Sequence, residues 1–496
     1  DVAPSRGLGD VYKRQKKILI WKPNAIKTSM LSSIIKMRRH KMRKNCVVLQ
    51  IIIVILLLNA CQNVKTNKEL TSIFDNTIVE HQTPKVEENG VNSLCDNVKK
   101  VNKNKNDVEV LKKIIESQKK QGAQVSENLD NKRMYVWNEN TGRLEKINWA
   151  VCDLKGSMNL NKLPFLKEID CSANNIEELN IAELKKLKVL DCSYNNLEEL
   201  NISNLKKIKY LNCSLNEIQD LDISGLKQLR KLNCSYNDIN MLYADERNSL
   251  KELECLVNDL KKLDTTKLKS LEKLNCCTND IQALDTSELH KLKYLDCSTN
   301  NMKKLKISGA KELLELKCSV NYIEKLDISE LQKLKKLECD YNQIKELQIA
   351  ELRNLKQLDC SMNKIKELNL SKLTKLKKLY CSENKLTQLD ISNFKKMKEL
   401  SCQENNIKKL NLEGTSLISL DCSYNKLKVL CVNTKGEESY LNCSNNLLTK
   451  LNLSGREMFR LECKNNKLRK LDVSNLPKLL EIPVSYTHLR AHETEL

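Results

Sequence analysis

Apolar and polar positions alternate along most of the chain in a pattern that repeats every 20 or 21 residues. One unit, residues 208–226, reads IxxLxCxxNxIxxLxIxxL. The most regular position is a cysteine with an asparagine three residues later, from Asn174 in the first unit to Asn466 in the last. The cysteines are Cys171, Cys192, Cys213, Cys234, Cys255, Cys276, Cys297, Cys318, Cys339, Cys360, Cys381, Cys402, Cys422, Cys443 and Cys463.

Each unit predicts one short strand. Leu and Cys are two residues apart, so both side chains lie on one side of an extended chain and the residues between them on the other. One strand cannot bury its apolar side alone, but stacked units form a continuous core. We therefore predict a parallel sheet of fifteen strands, about 4.8 Å apart and roughly 70 Å long. The second half of each unit is short and rich in Asp and Ser, which favours extended chain and turns over helix.

The cysteine column has two interpretations. Neighbours about 4.8 Å apart fall inside the Cα range of a disulfide, but parallel strands align the Cβ vectors, which disfavours a bridge. Free cysteine is among the most buried residue types. We favour buried free thiols over a metal ladder or disulfide chain, with Cys277 and Cys431 outside the column.

The repeat resembles the leucine-rich-repeat signature LxxLxLxxNxL with Cys in the third apolar position. It is similar to the short 21-residue class of bacterial surface lipoproteins, internalin-like in general architecture. The resemblance implies an α/β-class solenoid wound as a right-handed superhelix. Its curved parallel sheet would form the concave face, opposite a mostly non-helical convex side and after a small α/β N-terminal cap.

Residues 107–165 are predicted to form that cap. A helical pattern starts at Asp107 and ends near Gly122, and residues 135–137 and 143–144 flank an Asn-Thr-Gly turn typical of a hairpin. An irregular first repeat follows, with Trp149 in the Cys slot and Cys152 in the Asn slot. A terminal unit must cover the open end of the core, which explains the irregularity.

The two ends carry other information. Residues 1–15 and 484–496 look like translations of a sequencing-library adapter. If Met42 is the start, residues 16–41 are untranslated. Residues 1–41 and 484–496 are therefore set aside. Residues 42–60 have the basic start and apolar core of a signal peptide, and the LNAC at 58–61 resembles a lipobox, which implies a lipid-modified Cys61. Residues 61–106 are predicted to be a flexible tether. The repeats over 166–483 would then be truncated.

Composition excludes several functions. The net charge of +21 falls to +11 for residues 61–483, which hold 71 basic and 60 acidic residues, and no aromatic-rich basic motif points to nucleic acid. That segment has only two histidines, His81 and His290, far apart in the sequence. A histidine-based catalytic or metal site is therefore hard to build, and no glycine loop for phosphate is present. We predict no enzyme, no cofactor and no metal.

Outward strand positions are the candidate ligand surface. The residue before each column cysteine is acidic in eight of fifteen repeats, and eight of the thirteen tyrosines fall in outward slots. Tyr is favoured in binding hot spots, although it also suits strands. The candidate residues are Tyr194, Tyr210, Tyr236, Tyr294, Tyr341, Tyr380, Tyr424, Tyr440, Asp191, Asp296, Glu338 and Asp359.

These features predict a non-catalytic, monomeric binding or adhesion protein that presents its concave face to a protein partner. It would be lipid-anchored on the extracellular face of the bacterial membrane, or secreted if Cys61 is not modified. A carbohydrate or cell-wall binder and the recognition arm of an enzyme with a domain beyond residue 483 remain alternatives. A structural spacer, indifferent to changes in the outward residues, is a further one.

Overall fold

The computed structural model describes residues 101–479 except 247–248, 393, 416, 434–438, 455–457 and 475. The predicted signal peptide, Cys61, most of the tether and both set-aside ends lie outside the described residues. The one described helix, α1, spans Lys105–Lys120. In chain order the described strands are β1 (Tyr135–Trp137), β2 (Leu144–Asn148), β3 (Lys155–Asn159), β4 (Glu168–Asp170), β5 (Asn175–Asn180), β6 (Val189–Asp191), β7 (Tyr210–Asn212), β8 (Asp220–Asp222), β9 (Lys231–Asn233), β10 (Met241–Tyr243), β11 (Glu252–Glu254), β12 (Lys273–Asn275), β13 (Ala283–Asp285), β14 (Tyr294–Asp296), β15 (Lys304–Lys306), β16 (Glu315–Lys317), β17 (Lys336–Glu338), β18 (Gln357–Asp359), β19 (Lys378–Tyr380), β20 (Gln388–Asp390), β21 (Glu399–Ser401), β22 (Lys409–Asn411), β23 (Ser419–Asp421), β24 (Val429–Asn433), β25 (Ser439–Asn442), β26 (Lys450–Ser454) and β27 (Met458–Glu462).

The main sheet has 17 strands. From β2 onward the strands are parallel and pair strictly in chain order, as β2, β4, β6, β7, β9, β11, β12, β14, β16, β17, β18, β19, β21, β23, β25 and β27, with β1 antiparallel to β2 at one edge. The register places each central apolar residue beside its counterpart, as Leu211 beside Leu232. This confirms the predicted sheet of fifteen repeat strands, preceded by an irregular first unit.

The core lies between this sheet and the opposite side of the solenoid. All fifteen column cysteines are buried and free, while Cys277 is half-buried and Cys431 exposed, as the pattern predicts. Several thiols donate to the next strand, as from Cys297 Sγ to the carbonyl of Lys317 at 3.4 Å. The column therefore acts as small apolar filler with a weak hydrogen bond to the neighbouring repeat.

The opposite side is extended and turn-rich, as predicted. Short parallel pairs form there between β3 and β5, β8 and β10, β13 and β15, β20 and β22, and β24 and β26. Within the described ranges, no helix is long and apolar enough to span a membrane.

The asparagine three residues after each column cysteine forms hydrogen bonds to its own repeat and to the one before it, and we call this column the asparagine ladder. The Asn321 amide donates to the carbonyls of Cys297, Cys318 and Ser319 at 3.1, 3.1 and 3.2 Å, and its oxygen accepts the Met302 N–H at 3.0 Å. The same four bonds recur in repeat after repeat. Buried backbone groups are thus satisfied where the chain leaves each strand, the role expected for this column.

Helix α1 is attached to the first strands by buried polar contacts. It begins at Lys105, two residues before the predicted start, because Asn104 caps it by accepting the N–H groups of Asn106 and Asp107. The buried Asp107 carboxylate accepts two bonds from Arg143, at 2.8 and 2.7 Å, and one from the Leu144 N–H at 3.0 Å. The helix and the hairpin of β1 and β2 confirm the secondary structure predicted for this segment.

Candidate functional site: the outer face of the main sheet

The outer face consists of the residues three and one before each column cysteine, on the strand, and the residue two after it, in the following turn. In every three-residue repeat strand of the main sheet the middle residue is buried and its two neighbours are half-buried, as in β7. All twelve predicted candidates lie on this face: Asp191, Tyr194, Tyr210, Tyr236, Tyr294, Asp296, Glu338, Tyr341, Asp359, Tyr380, Tyr424 and Tyr440. Their charged neighbours on the same face include Lys273, Glu315, Lys317, Lys336 and Glu399.

The turn position has a conformation that the sequence pattern did not reveal. In all fifteen repeats the residue two after the column cysteine is left-handed, with φ between 52 and 58°, and none of these residues is glycine. Four of them are tyrosines, and Val257 and Val320 are β-branched. Such backbone is unusual for non-glycine residues and costs roughly 1–2 kcal/mol. The signal in the sequence was weak, because only Asn445 and Asn465 carry a side chain that favours this conformation.

The left-handed turn projects its side chain beyond the strand. Tyr236, Tyr341 and Tyr424 are 45, 44 and 57% exposed, whereas Tyr194 is half-buried. Each turn is fixed by a backbone bond to the next repeat, such as Tyr341 N–H to Ser361 C=O at 3.0 Å. These rings therefore stand on rigid backbone, although they lie outside the strands.

The structure brings only some of the eight tyrosines together. Tyr194, Tyr210 and Tyr236 lie on three consecutive repeats, and we call them the three-tyrosine patch. Tyr424 and Tyr440 occupy neighbouring repeats near the other end. Tyr294, Tyr341 and Tyr380 are separated from one another by one intervening repeat each. The candidate residues thus form a long interrupted row and not one compact cluster.

Lysines neutralise part of the acidic row. Glu338 contacts Lys336 at 2.9 Å and Lys317 at 3.9 Å, while Glu315 contacts the same two lysines at 3.1 and 3.6 Å. Five of the positions three before the column cysteine are basic, namely Lys231, Lys273, Lys336, Lys378 and Arg460. The same slot also holds four glutamates, so acidic residues still outnumber basic ones over the two strand slots, although part of their charge is paired with lysines.

Two carboxyl groups, Asp191 on the outer face and Asp340 directly after Cys339, have raised pKa values. Burial raises the pKa of Asp191, although Ser193 and Asn212 donate to it at 2.5 and 3.0 Å. Burial, together with the nearby charge of Asp359, raises the pKa of Asp340 to about 6, against a hydrogen bond from Ser319 that lowers it. Both groups therefore hold a proton more readily than an exposed aspartate does.

Cations surround two of the strand tyrosines. Lys273 and Lys317, on the repeats before and after, lie 5.7 and 5.9 Å from the ring centre of Tyr294. Arg460 lies 5.8 Å from the ring centre of Tyr440. These cation–π contacts hold the two rings in place.

The chemistry available on this face is recognition by rings, amides and charges. Burial raises the pKa of each column thiol, which disfavours the thiolate needed for nucleophilic attack or metal binding. Across the described residues, no group of three or more His, Cys, Asp or Glu side chains is placed to hold a metal ion.

Comparisons with known proteins agree with this architecture. Residues 353–396 match the family model described as leucine-rich repeats in two copies. YopM from Yersinia enterocolitica WA-314 is 23% identical, with a TM-score of 0.54, over 69% of this chain and 78% of that one. The functional domain of InlJ from Listeria monocytogenes, described as including a cysteine ladder, is 28% identical over 69% of this chain and 68% of that one, with a TM-score of 0.48.

A leucine-rich-repeat protein of Leptospira interrogans is 24% identical over 68% of this chain and 94% of that one, with a TM-score of 0.49. No curated protein sequence matches the chain. The family match and the likeness to YopM show that the fold is a leucine-rich-repeat solenoid, a scaffold class associated with protein binding.

Proposed function

We propose that the chain is a non-catalytic binding protein that presents the outer face of its main sheet to a protein partner at a bacterial cell surface. The observation that carries the proposal is the row of outward tyrosines on backbone that is fixed in register by the asparagine ladder. A rigid surface loses little conformational entropy on binding, so more of the interaction energy of its contacts contributes to affinity. Tyr, with a large ring and a polar tip, is the residue type most suited to such a surface.

Two parts of the face fit a protein partner best. Glu338 and Tyr341 belong to one repeat, where a half-buried carboxylate held by Lys336 precedes a ring that is 44% exposed. The three-tyrosine patch is the other part, beside Asp191 and Asn212. A partner that covers both would bridge eight repeats, or roughly 34 Å of sheet, a length compatible with a protein interface.

Surface attachment belongs to the same proposal and rests on the lipobox-like LNAC at 58–61. Expression in a bacterial host with a labelled fatty acid tests it. We expect label in the wild-type chain and none after Cys61→Ser, with the variant released from the membrane fraction. Label that persists in the variant would refute lipidation at Cys61.

Site-specific photo-crosslinking tests the binding face. A photoreactive phenylalanine replaces Tyr341 or Tyr236 in one pair of chains. In the control it replaces Tyr243, which is 44% exposed on the opposite side of the solenoid. We expect one partner to crosslink from the outer face and not from the control position.

The partner, produced separately, then gives a quantitative test. We expect Glu338→Ala with Tyr341→Ala to weaken binding about tenfold or more, because central aromatic residues dominate interface energies. Crosslinks from Tyr243 alone, or unchanged binding by the double variant, would overturn the assignment of the outer face.

A carbohydrate or cell-wall ligand is the second candidate. It is favoured by the Asn212 amide bound to Asp191 next to the half-buried ring of Tyr210. Rings beside fixed amide and carboxylate groups offer both stacking and hydrogen bonds to a sugar. Competition by soluble wall sugars against the crosslinked partner separates the two, since only a carbohydrate site would be blocked.

A further inference from the structure

A second surface runs along the edge of the main sheet, where the chain enters each strand. We define the strand-start column as the residue four before each column cysteine. Ten of its first twelve members are basic: Lys167, Lys188, Lys209, Arg230, Lys251, Lys293, Lys335, Lys356, Lys377 and Lys398. The interruptions are Glu272 and Leu314, and the last three members are Ile418, Ser439 and Phe459.

Backbone hydrogen bonds join the members of this column directly. The Lys209 N–H donates to the Lys188 carbonyl, and the Arg230 N–H to the Lys209 carbonyl, both at 2.8 Å. The same 2.8 Å bond links Lys356 to Lys335, and it continues through Lys377 to Lys398. Successive cations within an uninterrupted run are therefore fixed about 4.8 Å apart at the backbone, and the column from Lys167 to Lys398, with its two interruptions, is about 50 Å long.

The chain itself shows how such repulsion can be relieved. Glu272 lies between two lysines of the column and binds both, Lys251 at 3.0 Å and Lys293 at 2.9 Å. These hydrogen bonds lower the pKa of Glu272 to about 2. Lys167 is likewise paired with Glu145 at 2.7 Å.

Two runs of the column form no such ion pair among the described residues, although Lys188 lies near enough to Glu145 to help lower the pKa of that carboxyl. In the part of the chain that the structure describes, no ion pair involves the first run, Lys188, Lys209 and Arg230, or the second run, Lys335, Lys356, Lys377 and Lys398. All seven side chains are exposed. A glutamate at every second position would remove the repulsion, and the chain uses one only at Glu272.

We propose that the two runs of the strand-start column bind an extended polymer of phosphate groups, laid along the edge of the solenoid. Lysine binds phosphate as a point charge and needs no fixed fork geometry, so a flexible polyanion can adjust its charges to the row. The surface is distinct from the outer face and does not depend on the proposed protein partner.

The charge of the neighbouring surface favours a line-shaped ligand over a flat one. Asp191, Glu338 and Asp359 lie three residues further along their strands, about 10 Å from the column. An anionic membrane wide enough to cover the edge would also meet these carboxylates. A single polymer chain contacts the cations and avoids the acids.

Binding of long-chain inorganic polyphosphate to the purified full chain tests the proposal, measured at several salt concentrations. The test variant is Lys335→Gln, Lys356→Gln, Lys377→Gln. The matched control is Lys269→Gln, Lys311→Gln, Lys333→Gln, which removes the same charge from connector lysines that pair with Glu288, Glu330 and Glu312. Thermal unfolding checks that both variants fold.

We expect the test variant to bind about tenfold more weakly and the control within about twofold of wild type. The slope of log affinity against log salt should fall by about 2 in the test variant, since each lost phosphate contact removes roughly 0.7 for a single-stranded polyanion. Equal losses in both variants, or no binding by wild type, would overturn the proposal.

Two further measurements sharpen the test. Glu272→Lys fills the gap in the column, so it should tighten polyphosphate binding. Misfolding cannot produce such a gain, and unchanged or weaker binding would count against the row.

Vesicles rich in phosphatidylglycerol probe the membrane alternative. Vesicle binding that polyphosphate fails to displace would assign the column to a membrane and refute the polymer.

Discussion

The asparagine ladder makes a quantitative prediction about stability. Asn321 is 3% exposed and makes four hydrogen bonds, so Asn321→Ala leaves the Met302 N–H without its acceptor inside the core. Each of the three carbonyls loses one donor and keeps another: Cys297 keeps the amide of Asn300, Cys318 the amide of Asn342, and Ser319 the Thr299 N–H. One unsatisfied buried N–H costs roughly 1–3 kcal/mol, and the lost bonds to carbonyls that keep another donor add about 1 kcal/mol, so we expect a loss of roughly 2–4 kcal/mol.

The ladder also offers an internal comparison. Asn466 makes the same four bonds, to Cys443, Cys463, Lys464 and the Leu448 N–H, but it is only half-buried. Water can replace the lost partners there, so Asn466→Ala should cost only about 1 kcal/mol. Asn321 and Asn466 therefore share the same hydrogen-bond pattern and differ in the burial of the side chain.

Guanidinium unfolding, followed by circular dichroism, measures both losses, and hydrogen exchange at the Met302 amide reports whether the damage is local. Hydrogen exchange is needed because repeat arrays can unfold in parts, and one free energy of unfolding for the whole chain is then ambiguous. Asn301→Ala is the control, since that side chain donates to Asp280 outside the core. Equal losses for Asn321→Ala and Asn466→Ala would refute the argument from buried unsatisfied groups.

Three other predictions follow from the turn, the acidic residues and the thiols. Val257→Asn should stabilise the chain by about 1 kcal/mol, because Asn tolerates the left-handed turn as Asn445 does, and unfolding that is unchanged or easier would show that the turn is not strained. Because the pKa of Asp340 is raised to about 6, the unfolded chain loses this proton first, so stability should fall as pH rises from about 4 to 6; Asp340→Asn should remove that dependence in melting curves recorded against pH. Among the described cysteines, a thiol reagent followed by peptide mass spectrometry should label Cys431 rapidly, Cys277 slowly and the column only on unfolding, whereas native labelling of the column would contradict its burial.

The repeating part of the fold was predictable because one period fixes both the strand and its neighbours. Once Leu211 and Cys213 are placed on a strand, the 21-residue step places every equivalent pair beside them. The helix start at Lys105 was missed by two residues because its cap, Asn104, lies before the apolar pattern begins.

The candidate surface was less predictable, since its properties arise between repeats. The left-handed turn at Tyr341 depends on a backbone bond to Ser361, one repeat away, and nothing in the side chain of Tyr favours it. Neutralisation of Glu254 by Lys273, at 2.7 Å, likewise joins neighbouring repeats through different slots. A pattern taken one slot at a time cannot show such pairs.

The 21-residue period that makes the fold regular also repeats each surface side chain along a column. A charge in one slot recurs about 4.8 Å away unless the next repeat changes it, so each column either alternates in sign or accumulates charge. Around Glu272 the strand-start column alternates, and between Lys335 and Lys398 it accumulates. The stability of the solenoid gains nothing from accumulation, because like charges at this spacing repel. A ligand that supplies negative charge would relieve this repulsion, so polyphosphate binding by the run from Lys335 to Lys398 is the measurement that would distinguish this chain from a neutral spacer.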